Sequence, residues 1–110
     1  MAVKRGDLVT VALQGDYGKP LPALIIQSDQ FDELGSVVIL PLTSTLIDAP
    51  LLRPTVEPSS DNGLRTPSQI MLDKPMTVKT EKIGPSFGHL DDLDMIGVSR
   101  SLALFLGLAG

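Results

Sequence analysis

The chain has 110 residues, of which 43% are hydrophobic and 20% are charged, and its 13 acidic and 9 basic side chains give a net charge of −4. This length and hydrophobic content fit one domain with its own core and argue against disorder. The negative net charge argues against nonspecific electrostatic binding of nucleic acid by the protein as a whole. Without cysteine, disulfides and thiol chemistry are excluded. No signal-peptide or membrane-span pattern is present, so we expect a cytoplasmic protein.

Six strands are predicted along the first 80 residues. Apolar and β-branched side chains recur in short runs that are separated by glycine, proline and small polar residues. Pro41 and Pro54 must lie near strand ends or on a sheet edge, because proline cannot donate a ladder hydrogen bond. The segment SSDNG, residues 59–63, predicts a tight turn. The predicted strands cover residues 6–13, 22–28, 36–42, 52–57, 68–72 and 76–80.

One helix is predicted, at the end of the chain. Asp91 can cap its first turn, and the following acidic residues suit the positive end of the helix dipole. Apolar residues at spacings of three and four are predicted to share one face, and Gly107 is predicted to end the helix. Many short strands followed by one helix predict a mainly β (α+β) fold, a curled antiparallel barrel with a C-terminal helix and a single domain over residues 1–110. The helix face consists of Met95, Val98, Leu102, Phe105 and Leu106.

Two segments carry polar groups at strand ends. The glycine-rich segment 15–19, GDYGK, lacks the GxxxxGK[ST] pattern of a phosphate loop, and a plain hairpin loop explains it. Three hydroxyls follow the third predicted strand at residues 43–45, where they either cap a turn or contribute to a reactive site. The second interpretation needs a charged neighbour, for which Asp73 and Lys74 are candidates.

No metal site is predicted. His89 precedes three aspartates, but their spacing matches no known ligand pattern and helix capping accounts for the acids. The role of His89 stays open.

The order of segments is more specific than any single motif. "KRGDLVTVAL", "GKPLPALIIQSD", "VVILPLTST", "GLRTPSQIMLDKPMTV" and "EKIG", followed by a helix ending "LFLGL", resemble the MazF/PemK toxin family over nearly the whole chain. The resemblance implies the SH3-like barrel that this family shares with the gyrase poison CcdB. It implies metal-independent, sequence-specific cleavage of single-stranded mRNA, in which the ribose 2′-hydroxyl attacks the adjacent phosphate to give a 2′,3′-cyclic phosphate and a 5′-hydroxyl. It also implies a homodimer and a MazE/PemI-like antitoxin, and no cofactor.

The family's site residues carry over only in part. The hydroxyl at the end of the third strand corresponds to Thr43, with Ser44 beside it. The family's acid corresponds to Asp73, as acid/base or orienting group. Apolar residues occupy three positions where the family pattern has arginine, and Leu21 stands at that of the main catalytic cation. These three positions are Leu21, Met71 and Met76.

Leucine cannot neutralise the charge that grows on the phosphorane, so the resemblance implies a poor ribonuclease. An inactivating Arg→Leu change at position 21 is the favoured explanation. Alternatively, Lys19 and Lys74 supply the positive charge, or Leu21 is natural and packs under the loop. Gln69 and Ser44 are weaker candidates for RNA contacts, beside the two lysines.

Two other hypotheses remain open on the sequence. A CcdB-like inhibitor of DNA gyrase would share the fold without catalysis, and the scarcity of arginine at the site favours it. The chain lacks the Trp-Gly-Ile end that CcdB uses, because it ends FLGLAG and has no tryptophan. The third hypothesis is an unrelated small binding barrel.

Overall fold

The computed structural model describes residues 3–12 and 19–109, and these form seven strands, two short 3-10 turns and one α-helix. No helix in these two ranges has the length and hydrophobicity needed to cross a membrane. The 3-10 turns are Asp29–Phe31 and Thr80–Lys82. The strands and helix are β1 Asp7–Val11, β2 Leu21–Ile25, β3 Ser36–Thr43, β4 Thr55–Val56, β5 Ser68–Ile70, β6 Met76–Lys79, β7 Ile83–His89 and α1 Asp92–Phe105.

The strands form one curled antiparallel sheet with β3 at its centre. The order is β4-β5-β3-β2-β1-β7, and β6 pairs with the first half of β3. Pro41 lies where the partner of β3 changes, between the Ile39–Met76 pair with β6 and the Leu42–Ile70 pair with β5. A residue without an N–H group fits that break in the ladder. The curled antiparallel sheet with a C-terminal helix confirms the predicted fold.

Both faces of the sheet are buried, because side chains alternate between two clusters along each strand. Leu24, Leu40 and Leu42 face the cluster that includes Met95 and Val98 of α1. The opposite face holds a cluster of smaller and β-branched residues. That second cluster contains Val3, Val9, Val11, Ala23, Ile25, Val37, Ile39 and Val78.

The helix confirms its predicted start and corrects its predicted face. Asp91 caps α1, since its carboxylate accepts a hydrogen bond of 2.8 Å from the Asp94 N–H. Met95 and Val98 are buried and Leu102 packs on the core, but Phe105 and Leu106 are 44% and 49% exposed. The predicted face therefore extends beyond the part of α1 that packs on the core, which ends with Leu102. Gly107, at φ +74°, follows the end of the helix as predicted.

The strand β7 was not predicted from the sequence. Its segment IGPSFGH contains two glycines and a proline, which are poor strand formers. The pairing of β7 with β1 is irregular, and its register shifts absorb Pro85. A side chain at Gly84 would collide with Thr10, so the strand's composition reflects close packing rather than a loop.

The other strand limits differ by a few residues from the predictions. The largest difference is at β4, which keeps only two of six predicted residues, because residues 49–53 form a turn in which Arg53 N–H donates to Ala49 at 2.7 Å. As predicted for Pro54, β4 is an edge strand. Leu13, at the end of the first predicted strand, and most of the predicted 14–20 loop lie outside the described residues.

Candidate active site

The start of β2, at Leu21, and the end of β3, at Thr43, lie at the same end of the sheet. In the β2–β3 pair Leu24 lies opposite Leu40 and Ala23 lies opposite Pro41. Leu21 and Thr43 each lie two residues beyond the Ala23–Pro41 pair, on neighbouring antiparallel strands. The sheet thus brings the leucine and the hydroxyl that the resemblance assigns to the same site to one end of two adjacent strands.

Leu21 itself is half-buried and continues an apolar row. Its partner on the other side is Val11 of β1, which in turn pairs with Ile83 of β7. The side chain therefore lies at the rim of the second core cluster, where contact with apolar neighbours suits a leucine.

Thr43 caps the turn that follows β3. Its Oγ1 accepts a hydrogen bond of 3.1 Å from the N–H of Thr45, which was one of the two interpretations of the three hydroxyls. Because the hydroxyl accepts there, its own hydrogen remains free to be donated to a substrate oxygen. Ser44 is exposed beside it.

Thr43 and Ser44 line a groove of about 650 Å³ at this end of the molecule. Among its described lining residues Arg65 is the only charged side chain, and the others are hydroxyl-bearing or apolar. Arg65 lies within the quoted segment GLRTPSQ, but it was not predicted as a site residue. No feature of that segment indicates that Arg65 shares a groove with Thr43, which lies 22 positions earlier in the chain. The lining consists of Thr10, Pro22, Leu42, Thr43, Ser44, Gly63, Leu64, Arg65, Thr66, Ser68 and Phe87.

The turn that precedes Arg65 is held to the body of the protein. The buried amide of Asn62 accepts from the N–H groups of Ser59 and Leu64 at 2.9 and 3.0 Å and donates to the Glu57 carbonyl at 2.9 Å. A Cβ atom at Gly88 would collide with the carbonyl of Asn62, so the turn packs closely on β7. These contacts support the turn predicted at residues 59–63 and fix the start of the segment that leads to Arg65.

Asp73 does not line the groove. It forms an ion pair with Arg53, whose Nε and Nη2 donate to its two carboxylate oxygens at 3.0 and 3.3 Å, and Lys74 Nζ lies 4.0 Å away. The hydrogen bonds from Arg53 lower the pKa of Asp73 below its ordinary value of 3.8, although partial burial opposes the shift. The structure thus pairs the acid with an arginine that the sequence analysis had not considered.

The remaining predicted site residues lie in different surroundings. Gln69 is 4% exposed. Its amide oxygen accepts from the Ile47 N–H in the loop after β3, and its two amide N–H groups donate to the Ile47 carbonyl and to the Thr55 hydroxyl of β4. Lys19 and Lys74 are exposed. His89 is exposed at the end of β7, and the described residues include no cluster of three acidic or histidine side chains that could hold a metal ion.

Comparison with known proteins identifies the family. The sequence profile of the family described as "PemK-like, MazF-like toxin of type II toxin-antitoxin system" matches residues 4–106. The chain belongs to this family. A curated protein named "Probable endoribonuclease MazF" from Mycolicibacterium smegmatis is 46% identical over 109 residues, which are 98% of this chain and all of that protein.

Solved MazF structures share the fold. A mycobacterial endoribonuclease in complex with its cognate antitoxin has a TM-score of 0.80, with 23% identity and 99% coverage of both chains. MazF in a MazE–MazF crystal from Deinococcus radiodurans also has a TM-score of 0.80 and is 17% identical, and the match covers 99% of this chain and 100% of that one. The resemblance to the MazF/PemK family is thereby confirmed, and these matches give no support to a CcdB-like gyrase inhibitor or an unrelated barrel.

Proposed function

We propose that this MazF-like protein is a toxin that cleaves single-stranded mRNA without a metal ion, and that Leu21 impairs its activity. Cleavage would leave a 2′,3′-cyclic phosphate and a 5′-hydroxyl, as the family resemblance implies. Support comes from membership of the toxin family and from the M. smegmatis relative that is named a probable endoribonuclease. The observation that supports the site assignment is the antiparallel pairing of β2 with β3, which puts the start of β2 and the end of β3 at the same end of the sheet.

The pairing of these two positions suits transesterification at a phosphate. An arginine at position 21 would present two parallel N–H donors to the phosphate oxygens as negative charge grows on them. Thr43 keeps a hydroxyl hydrogen to donate to the same phosphate, because its oxygen is already held by the Thr45 N–H. Leu21 offers neither charge nor a donor, so this chain lacks the strongest electrostatic contribution that the site could make.

The other predicted residues take supporting roles in this proposal. Ser44 is exposed in the groove and is proposed to contact RNA, and Lys19 and Lys74 supply weaker, solvated positive charge. Asp73 is proposed as an orienting group, since a carboxylate with a lowered pKa is a poor proton acceptor near neutral pH. Gln69 is proposed to act through the loop that it holds, because it is buried and both of its amide N–H groups already donate within the protein.

Partners and location follow from the family. We propose an antitoxin of the MazE/PemI type, in line with the mycobacterial and Deinococcus structures that contain MazF toxins with antitoxins. A homodimer and a cytoplasmic location are proposed on the same ground. No cofactor is part of the proposal.

The decisive experiment is cleavage of a long single-stranded RNA in EDTA by this chain and by its Leu21→Arg variant. We expect the arginine form to cut on the order of 10²–10³ times faster than this chain and to leave 5′-hydroxyl ends. Leu21→Lys serves as the matched control, since it restores charge without the bidentate fork and should recover less activity. If neither Leu21→Arg nor Leu21→Lys cuts RNA, the proposed function is wrong.

A further inference from the structure

The groove beside Thr43 has an electrostatic character unlike that of the whole protein. The chain carries a net charge of −4, yet the described residues that line the groove include Arg65 and no carboxylate. A single guanidinium among hydroxyls forms a local site for an anion with hydrogen-bond acceptors, such as a phosphate. The hydroxyls come from β1, β3 and the segment 66–68, so they surround the space rather than follow one strand.

An aromatic ring completes the lining. Phe87 projects from β7 and is 37% exposed, and its backbone packs against Gly63 of the turn that leads to Arg65. A ring that is partly open to a polar groove offers a face on which a nucleic-acid base can stack. The volume of about 650 Å³ lies in the range typical of small-ligand sites.

The groove is also pre-formed. Asn62 and Gly88 hold the turn against β7, and the positive φ of +66° at Gly63 directs the chain into the groove segment. A guanidinium on an anchored segment loses less freedom on binding than one on an unsupported loop. Arg65 is exposed, as Lys19 and Lys74 are, but of these three side chains it is the one that lines the groove.

We propose that this groove is a subsite for one nucleotide next to the cleaved bond, in which Arg65 binds a backbone phosphate and Phe87 stacks on the base. The inference rests on the proposed function for the choice of RNA as the ligand. Thr43 and Ser44 at the end of β3 line this groove together with Pro22, the neighbour of Leu21 in β2, so the groove adjoins the proposed catalytic position. Arg65 therefore contributes to binding rather than to the chemical step.

The test measures equilibrium binding of a fluorescent 2′-O-methyl RNA oligonucleotide, which cannot be cleaved, across a range of salt concentrations. We expect Arg65→Ala to weaken binding on the order of tenfold and to lower the salt slope by about 0.7, the value for one phosphate contact on a single strand. Phe87→Leu should weaken binding on the order of tenfold with an unchanged slope. Arg65→Lys should keep the slope and lose less affinity.

Lys79→Ala is the matched control, because it removes one positive charge beside Ser36, at the other end of β3 from Thr43. Equal affinities and slopes for Arg65→Ala and Lys79→Ala would overturn the proposal. A second arm uses a polyglutamate peptide. If Arg65→Ala weakens binding of the peptide but not of RNA, the groove is a site for acidic peptides and the nucleotide proposal is wrong.

Cleavage assays separate this inference from the proposed function. In the Leu21→Arg background we expect Arg65→Ala to raise KM with little change in kcat. If Leu21→Arg cuts RNA and the added Arg65→Ala change leaves KM unaltered, the subsite is disproved while the ribonuclease assignment stands. If Leu21→Arg does not cut but Arg65→Ala still weakens RNA binding, the subsite is supported and the catalytic assignment fails.

Discussion

The guanidinium of Arg53 holds the carboxylate of Asp73 through two hydrogen bonds, of 3.0 and 3.3 Å. Both side chains are largely shielded, with 14% and 24% of their surfaces exposed. Arg53 ends the turn after residue 49, and Asp73 follows β5, so the pair ties the long connection between β3 and β4 to the strand beside it. This bond gives the carboxylate a structural role that can be measured without any substrate.

Replacing Asp73 by asparagine should make the free energy of unfolding less dependent on pH in the acidic range. The folded-state pKa of Asp73 lies below its unfolded value, so its contribution is fully present above about pH 4 and is lost as pH falls through the folded value. Asp73→Asn should therefore cost roughly 1 kcal/mol at neutral pH and progressively less in acid. Urea unfolding from neutral pH to about pH 3 measures the difference.

Asp32→Asn, in the exposed connection between β2 and β3, is the control for this experiment. It removes the same charge without breaking an ion pair. A stability difference between Asp73→Asn and the parent that stays constant with pH would contradict the assignment.

Gln69 should be a stability determinant of the loop after β3. Its amide exchanges hydrogen bonds with the N–H and C=O of Ile47 at 3.1 and 2.9 Å and also reaches Thr55. Gln69→Ala would leave these groups without partners, so we expect a loss of about 1–3 kcal/mol in the free energy of unfolding and faster amide exchange at Ile47. Gln30→Ala, at an exposed position, should change neither. Unaltered exchange at Ile47 in the Gln69 variant would show that the loop is held by other contacts.

Gly88 should tolerate no side chain. A Cβ atom there would meet the carbonyl of Asn62, whose turn cannot move away without breaking its hydrogen bonds. We expect Gly88→Ala to lower the free energy of unfolding by about 1–3 kcal/mol, as an overpacked site does. Gly97→Ala tests the opposite case, because no atom lies within 4 Å of its added Cβ and the site is helical, and it should stabilise by about 0.5–1 kcal/mol. Thermal unfolding of the two variants measures both changes, and Tm shifts of the same sign would refute the packing argument.

Local chemistry was enough to predict most of the strands, the turn at residues 59–63 and the capped helix. Hydrophobic alternation and capping operate over a few residues, so a single segment such as DLVTV carries its own information. The same local rules missed β7, because Gly84 and Gly88 are chosen for close contact with Thr10 and Asn62 rather than for strand propensity. They also put Phe105 on one face with Met95 and Val98, but periodicity cannot tell where the core beneath a helix ends, and Phe105 is exposed.

The sequence by itself determined the fold class, the family resemblance and the apolar residue at position 21, because each of these depends on residue order alone. Only the tertiary structure decided which side chains meet. It brought the strand ends that carry Leu21 and Thr43 to the same end of the sheet, placed Arg65 in the groove and paired Asp73 with Arg53. The physical reason is that strand register and turn packing are set by contacts between residues far apart in the chain, and neither leaves a signal in the few residues around each position.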